Sequence, residues 1–337
     1  MSPITARTLR VNTIIVINSL LIGAVIGLIQ SKGDNVWEDA WVGSLIGLTV
    51  GLGCTASEMW VLSNPKFRIT RRLPPVVLAL LRGAIYIAVI TLALSVPSLV
   101  TDAPPMWEDT DFGLAFGTSV LIALAISTVV EVIRLLGREA TVSLFTGRYH
   151  RPRLENRVVL FADVVGSTSF AEKVGELTFH RFLSDVYQDV AAAIAITRGD
   201  VHRYVGDEVI VTWPVKRGTE TGLCVICAEE MHKALRARMA FYQKRYDHEP
   251  RLRVAIHCGQ VAAGEIGDWK KEIALLGDTM NTTARIEGAA KSLGVDTILS
   301  DDLARHLPDD LRASLRRLPD FAAAGKQSNL VLWTSDS

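Results

Sequence analysis

The hydrophobic pattern changes character part-way along the chain. Four apolar runs come first: Val11 to Ile29, Trp41 to Leu62, roughly Val76 to Val100, and Phe112 to Leu136. Each matches the roughly 20 residues needed to cross a bilayer as a helix. Farther along, the apolar stretches shorten and alternate with polar positions and turn residues. That pattern predicts a strand over 157–163, helices to 197, a hairpin over 200–214 and a helix over 219–245. It then predicts strands over 251–258, 261–267 and 272–277, a helix over 279–293, a strand over 295–299 and a final hairpin near 315–333. The fold class expected is therefore an α-helical transmembrane bundle of four spans over 1–136, a linker over 137–154, and an α+β cytosolic domain over 155–337 with helices outside a mixed sheet.

Composition agrees with the first half of that reading. Hydrophobic residues make up 49% of the 337 and charged residues 21%, too apolar a balance for one ordinary soluble domain. The formal net charge of zero conceals an asymmetry. Arg7 and Arg10 precede the first run, Lys66, Arg68, Arg71 and Arg72 separate the second from the third, and Arg134, Arg138, Arg148, Arg151 and Arg153 follow the fourth. The opposite loops carry Asp34, Glu38 and Asp39 with Lys32, then Asp102, Glu108, Asp109 and Asp111. The excess of Lys and Arg marks the cytoplasmic side, so both termini are expected there, in a multi-pass protein of the cell (inner) membrane with the lipid bilayer as partner. Trp37, Trp41 and Trp107 fit an outer aromatic belt and Trp60 an inner one. The first run lacks a small-residue cleavage site after Ile29 and reads as an uncleaved anchor. Glycines recur at four-residue spacing (Gly23 and Gly27; Gly43, Gly47 and Gly51; Gly113 and Gly117), which implies close helix packing. Glu58, Arg82 and Glu131 fall at one depth near the cytoplasmic ends, where a network of opposite charges or snorkelling to the headgroups would lower their cost.

The candidate chemistry lies in the second half. In FADVVGST (161–168) an apolar strand delivers Asp163 at its end and turns through Gly166, Ser167 and Thr168. In RYVGDEVIVTW (203–213) a turn at Gly206 and Asp207 separates two strands, so Asp207 sits on a hairpin able to lie beside the first strand. Asp beside Gly is common in ordinary turns. A third segment, ALLGDTMNTTARIEG (274–288), ends a strand at Gly277 and Asp278 and begins a helix with Asn281 and Arg285 four apart, hence on one face.

With D-x-x-G-S-T at Asp163, G-D-E at Asp207 and G-D-T-x-N-x-x-A-R ending at Arg285, residues 155 to 333 resemble the catalytic domain of class III nucleotidyl cyclases, in particular bacterial membrane-anchored adenylate cyclases. FTGRYHRP (145–152) resembles the segment joining their membrane and catalytic parts. The resemblance implies a ferredoxin-like palm that works as a head-to-tail homodimer, converting ATP to 3′,5′-cyclic AMP and pyrophosphate. It implies two Mg²⁺ (or Mn²⁺) per site on Asp163, Asp207 and the backbone carbonyl of Val164, since hard cations take oxygen ligands. It also implies a phosphate cradle of amides from Val165, Gly166, Ser167 and Thr168, ribose positioning by Asn281, and charge stabilisation at the α-phosphate by Arg285. Asp278 is assigned with the substrate-binding residues of the third motif. Pairing of Arg285 with Glu287 is the structural alternative.

Some positions depart from the family. Adenylate cyclases usually read the base with a Lys four residues before the second metal Asp and an Asp or Thr four residues before the position of Asp278. Here those are Arg203 and Ala274. Arg203 can donate to the base, but Ala274 accepts nothing from the adenine amino group, and the pair is not the Glu and Cys of guanylate cyclases either. Weak base discrimination follows unless other residues read the base. Lys326 is the candidate for the family lysine at the terminal phosphates. A guanylate cyclase and a non-catalytic membrane sensor remain as alternatives.

The rest reads as structural. Cys54, Cys224, Cys227 and Cys258 lack metal-ligand spacing and read as reduced packing residues. His257 reads as a core or hydrogen-bonding residue. The basic stretch 233–248 reads as the solvated end of an amphipathic helix, with no support for nucleic-acid binding.

Overall fold

The computed structural model describes residues 3–31, 35–57, 75–100, 112–136, 141–143, 146–319, 321 and 330–335. The chain divides into two compact units, Met1–Glu131 and Val132–Ser337.

The first unit contains the helices α1 (Pro3–Gln30), α2 (Val36–Ser57), α3 (Pro75–Val100) and α4 (Phe112–Leu136), each overlapping one apolar run. Among the described residues, Val36–Ser57 is long and apolar enough to cross a membrane, while Ile15–Ile29, Leu80–Val96 and Phe116–Ala125 are shorter apolar stretches. The described residues thus carry one candidate span rather than the four expected. Helices α1 and α2 run antiparallel along a glycine seam: a Cβ on Gly23 would strike the backbone of Gly43, and one on Gly47 the backbone of Ser19. The four-residue glycine spacing therefore reflects real backbone contact there, whereas a Cβ on Gly113 or Gly117 would meet nothing among the described residues. Hydroxyls of Ser44, Thr49, Thr55 and Thr91 donate to carbonyls four residues back, satisfying polar groups inside apolar helices. Arg82 is buried; Glu58 and the side chain of Glu131, its expected companions, lie outside the described residues.

In the second unit the order is β1 (Arg153–Val164), α5 (Ser167–Val174), α6 (Glu176–Ile196), β2 (Asp200–Val205), β3 (Glu208–Pro214), α7 (Val215–Thr219), α8 (Leu223–Ala237), α9 (Met239–Tyr246), β4 (Leu252–Ile266), β5 (Glu272–Leu276), α10 (Asp278–Leu293), β6 (Thr297–Ser300), α11 (Asp301–Ala304), α12 (Asp309–Ser314), β7 (Leu315–Arg317) and β8 (Leu332–Ser335). The strands form one mixed sheet in the order β2-β3-β1-β4-β6-β8-β7, with β5 paired to β4. Among the described strands only the β4–β6 pairing is parallel. The central strand β1 is buried on both faces from Val158 to Ala162, which explains its unbroken apolar run. On one face Val158, Leu160 and Ala162 meet Phe182, Val186 and Val190, spaced at four residues along α6, together with Cys224, Cys227 and Met231 of α8. On the other, Ala255 of β4 packs with Ile286, Ala289 and Ala290 of α10.

Two expectations change. The strands expected over 251–258 and 261–267 are one continuous strand, because β1 pairs with β4 without interruption through Arg157↔Gly259 and Asn156↔Gln260. Gly259 is there for close approach rather than for a turn: its missing side chain leaves room for Thr279, whose hydroxyl donates to the Gln260 carbonyl at 2.7 Å. The helix expected over 219–245 is broken at Gly222, which adopts φ 65°, and at Arg238. The second break turns Tyr242 and Tyr246 inward to donate 2.6 Å hydrogen bonds to Asp189 and Asp185. The stretch is amphipathic as expected, with Lys233, Arg236, Lys244 and Arg245 exposed, and it is also anchored to α6, where Arg238 and Arg245 pair with the same two aspartates.

Candidate active site

Strand pairing places the first two motifs together. Asp163, near the end of β1, lies opposite Glu208, the first residue of β3. The Val164 amide donates to the Asp207 carbonyl at 3.3 Å. The hairpin achieves this with a two-residue loop, Gly206 and Asp207, in which Gly206 takes φ 61°. Tyr187 of α6 braces the loop from behind: its hydroxyl donates to the Gly206 carbonyl at 3.1 Å, and its ring lies 4.7 Å from that of Tyr204. Burial pushes the Tyr187 hydroxyl up, and the Asp207 charge adds to this.

The carboxylates crowd one another. Burial, a side-chain hydrogen bond with Asp207 and the Asp207 charge raise Asp163 to about 7, opposed by Arg253, whose guanidinium is 3.5 Å away. Glu208 is raised to about 7 by burial and then by Asp163 and Asp207. Glu287 of α10 is raised to about 7 by burial and then by Glu208. Its Oε1 is a buried oxygen with no hydrogen-bond partner among the described residues. Crowded carboxylates of this kind suit a divalent cation. Among the described residues no three His, Cys, Asp or Glu side chains are set to hold a metal by themselves. A cation on Asp163 and Asp207 would therefore complete its shell with carbonyl, phosphate and water oxygens.

After Asp163 the chain turns at Gly166, in the left-handed conformation at φ 73°, and enters α5 at Ser167. The Val165 amide donates to the Arg251 carbonyl at 2.9 Å, which takes it out of the expected phosphate cradle. The amides of Gly166, Ser167 and Thr168 stand at the helix start, where anions are favoured.

The third motif is built separately. Asp278 opens α10 and accepts from the Thr282 hydroxyl at 3.3 Å. Asn281 is exposed and Arg285 half-buried. Arg285 forms no ion pair among the described residues, and Arg253 is the cation beside Asp163. Glu287, two positions beyond Arg285 and so on another side of the helix, joins Glu208 instead of pairing with Arg285. Within one chain, then, Asp163 and Asp207 come together, and among the described residues no hydrogen bond or ion pair ties Asn281 or Arg285 to them.

Arg203 and Ala274, from β2 and β5, line one cleft of about 150 Å³ with Val205, Ile210, Leu276 and Met280. Arg203 also donates to Glu272 at 2.7 Å. Lys326 lies outside the described residues.

The family model for the adenylate and guanylate cyclase catalytic domain matches residues 150–317. The chain is 33% identical over 307 residues to adenylate cyclase 2 of Rhizobium meliloti (strain 1021), covering 87% of this chain and 85% of that protein. The chain belongs to the class III adenylate and guanylate cyclase family. The cyclase is also 30% identical over 172 residues to a receptor-type guanylate cyclase of Drosophila melanogaster, covering 48% of this chain but only 11% of that much longer protein. A bacterial light-regulated adenylyl cyclase shares its fold, with a TM-score of 0.54 at 16% identity over 64% of each chain.

Sequence reasoning missed four residues that the structure brings to the candidate site. Glu208 was visible beside Asp207 in the G-D-E motif. Glu287, Arg253 and Tyr187 carry no local signal, since strand register and helix packing bring them in. The cysteines Cys224, Cys227 and Cys258 are buried free thiols, with burial pushing their pKa values up to about 12, 12 and 11, as expected of packing residues. His257 hydrogen-bonds Ser300 at 2.8 Å inside the core, in line with its expected structural role.

Proposed function

We propose that this cyclase is a membrane-anchored adenylate cyclase, forming cyclic AMP and pyrophosphate from ATP at a site completed by a second copy of the chain. The observation that carries the proposal is the placement of Asp163, paired with Glu208, beside the hairpin turn that holds Asp207, where burial and then the neighbouring Asp207 raise Asp163 to about 7. The adenylate cyclase of Rhizobium meliloti, similar over most of both chains, supports the choice of reaction.

Asp163, Asp207 and the Val164 carbonyl are the residues that would hold two Mg²⁺ or Mn²⁺. When bound, these ions supply acidification of the ribose 3′-hydroxyl and neutralisation of the triphosphate and leaving pyrophosphate. Around them, the amides of Gly166 to Thr168 receive phosphate, Asn281 orients the ribose and Arg285 offers a planar set of donors to charge gathering on the α-phosphate. Because no hydrogen bond or ion pair among the described residues ties Asn281 and Arg285 to the aspartates of their own chain, a twofold dimer in which each copy lends them to the other is the economical assembly. Exposed Tyr204, Val205, Ile266 and Leu276, with Trp269 fully exposed, supply apolar surface for it.

Membrane anchoring through four spans is supported by the many apolar side chains that the first unit leaves exposed, and cytoplasmic termini by the excess of Lys and Arg in the loops. Leu21, Val25, Leu80, Leu92, Leu114 and Leu121 face outward, while Gly47, Gly51, Ile90 and Leu94 are buried. Domain limits of 1–136, 137–154 and 155–337 go with this reading. Product analysis of purified full-length protein with ATP or GTP and Mg²⁺ or Mn²⁺ tests the function: cyclic AMP is expected, and faster cyclisation of GTP overturns the adenylate assignment.

A further inference from the structure

The cleft beside Arg203 lacks an acceptor at Ala274, yet a carboxylate stands close by. Glu272 lies two residues before Ala274 on β5, and alternation along a strand puts both on one face. Its ladder partner is Ile266 and that of Ala274 is Gly264, so both belong to the same β4–β5 ribbon. Ile266 and Ala274 line the cleft. Across it, Arg203 of β2 reaches Glu272 at 2.7 Å, although the two are 69 residues apart in sequence. Both side chains are more than two-fifths exposed, 41% and 43%, so the pair stands at the cleft mouth. An ion pair this exposed contributes little to stability. It does place a multi-donor cation and an acceptor-only carboxylate side by side, above walls formed by Val205, Ile210, Leu276 and Met280.

We propose that Glu272 is a specificity-determining residue that reads the purine base, taking the acceptor role that Ala274 leaves empty. The inference rests on the nucleotide cyclase reading above. Adenine presents a ring nitrogen that accepts and, next to it, an amino group that donates. A guanidinium and a carboxylate held together complement that edge. Guanine carries an acceptor where adenine carries the amino group and a donor where adenine carries the acceptor, so the same two groups in the same order meet it wrongly. The guanidinium has five N–H donors, so it can serve the base while still holding Glu272 in place.

The test uses purified full-length protein and compares wild type with Glu272→Ala, Glu272→Gln and Arg203→Ala, taking kcat and KM separately for ATP and GTP. Loss of one hydrogen bond to the base is expected to raise KM for ATP about tenfold in Glu272→Ala. GTP should change less than about twofold and kcat little, so that the ATP preference in kcat/KM falls about tenfold. Glu272→Gln, which keeps an acceptor oxygen, should restore most of the ATP affinity, and thermal melting checks that the variants fold. Equal changes for both nucleotides, or an unchanged ratio, would mean that Glu272 is only a surface ion-pair partner and would overturn the inference. Wild type that prefers GTP sinks the adenylate assignment instead, with Glu272 still judged by the change in ratio. If wild type cyclises neither nucleotide, the catalytic reading fails, and the affinities of fluorescent ATP and GTP analogues for wild type and Glu272→Ala decide the role of Glu272.

Discussion

The Val164 amide donates to the carbonyl oxygen of Asp207 at 3.3 Å, joining the end of the central strand to the turn of the neighbouring hairpin. That bond fixes two carboxylates, one from each element, beside each other before any ligand arrives. Their repulsion is a cost that the folded chain carries and that a bound cation relieves.

Stability without metal should therefore depend on pH with a definite sign. An unfolded Asp titrates near about 3.9, while Asp163 in the folded protein is raised to about 7. Between these values the folded state binds more protons, so this group's contribution falls as pH rises from about 4 to 7 and is constant above that. Asp163→Asn should melt higher than wild type at pH 8 in chelator, by on the order of 1 kcal/mol or more, with the difference vanishing near pH 4. Excess Mn²⁺ should stabilise wild type at pH 8 and leave the variant unchanged. A gap that grows on acidification contradicts the crowding described here.

Tyr187 offers a milder perturbation of the same place. Removing its hydroxyl in Tyr187→Phe loosens the Gly206 carbonyl next to Asp207 and sacrifices a single hydrogen bond, about 1 kcal/mol. The Mn²⁺ concentration for half-saturation, followed by paramagnetic resonance of the ion and by activity, should rise about threefold to tenfold. Saturating metal should restore kcat. A fall in kcat that metal does not rescue would place Tyr187 elsewhere in the mechanism.

Sharing of the site between two copies can be tested by mixing variants. Asp207→Ala and Arg285→Ala should each be nearly inactive, since each removes one group from both sites of its homodimer. Equal co-expression with free mixing makes half the dimers mixed, and each mixed dimer holds one intact and one doubly damaged site. Activity should return to roughly a quarter of wild type. No recovery in verified mixed dimers means either that each chain builds its own site or that both sites must be intact.

Membrane orientation makes an independent prediction, resting on the loop charges. Single cysteines near Asp109, in a background lacking the native cysteines, should react with a membrane-impermeant thiol reagent applied outside cells. Those near Lys66 should be protected until the membrane is opened. Inverted labelling would place the catalytic unit away from cytosolic ATP.

Much of this protein is fixed by near neighbours in the chain, and that much the sequence determines. Four long apolar runs become four helices, an apolar run ending in Asp163 becomes a central strand with a carboxylate at its tip, and Gly206 with Asp207 makes the hairpin turn. Periodicity and turn preferences act over a few residues, so these features can be read directly. The glycine seam of α1 and α2 is legible for the same reason, although only packing shows that Gly23 faces Gly43 while Gly113 and Gly117 meet nothing among the described residues. Tertiary structure alone decides what strand register and helix docking bring together. Arg253 reaches Asp163 because β1 and β4 pair across 90 residues of sequence. Glu287 turns to Glu208 because α10 docks on the sheet, and Glu272 meets Arg203 across the cleft. Local sequence carries no record of such partners, because their proximity arises from burial of apolar faces far from the charges themselves.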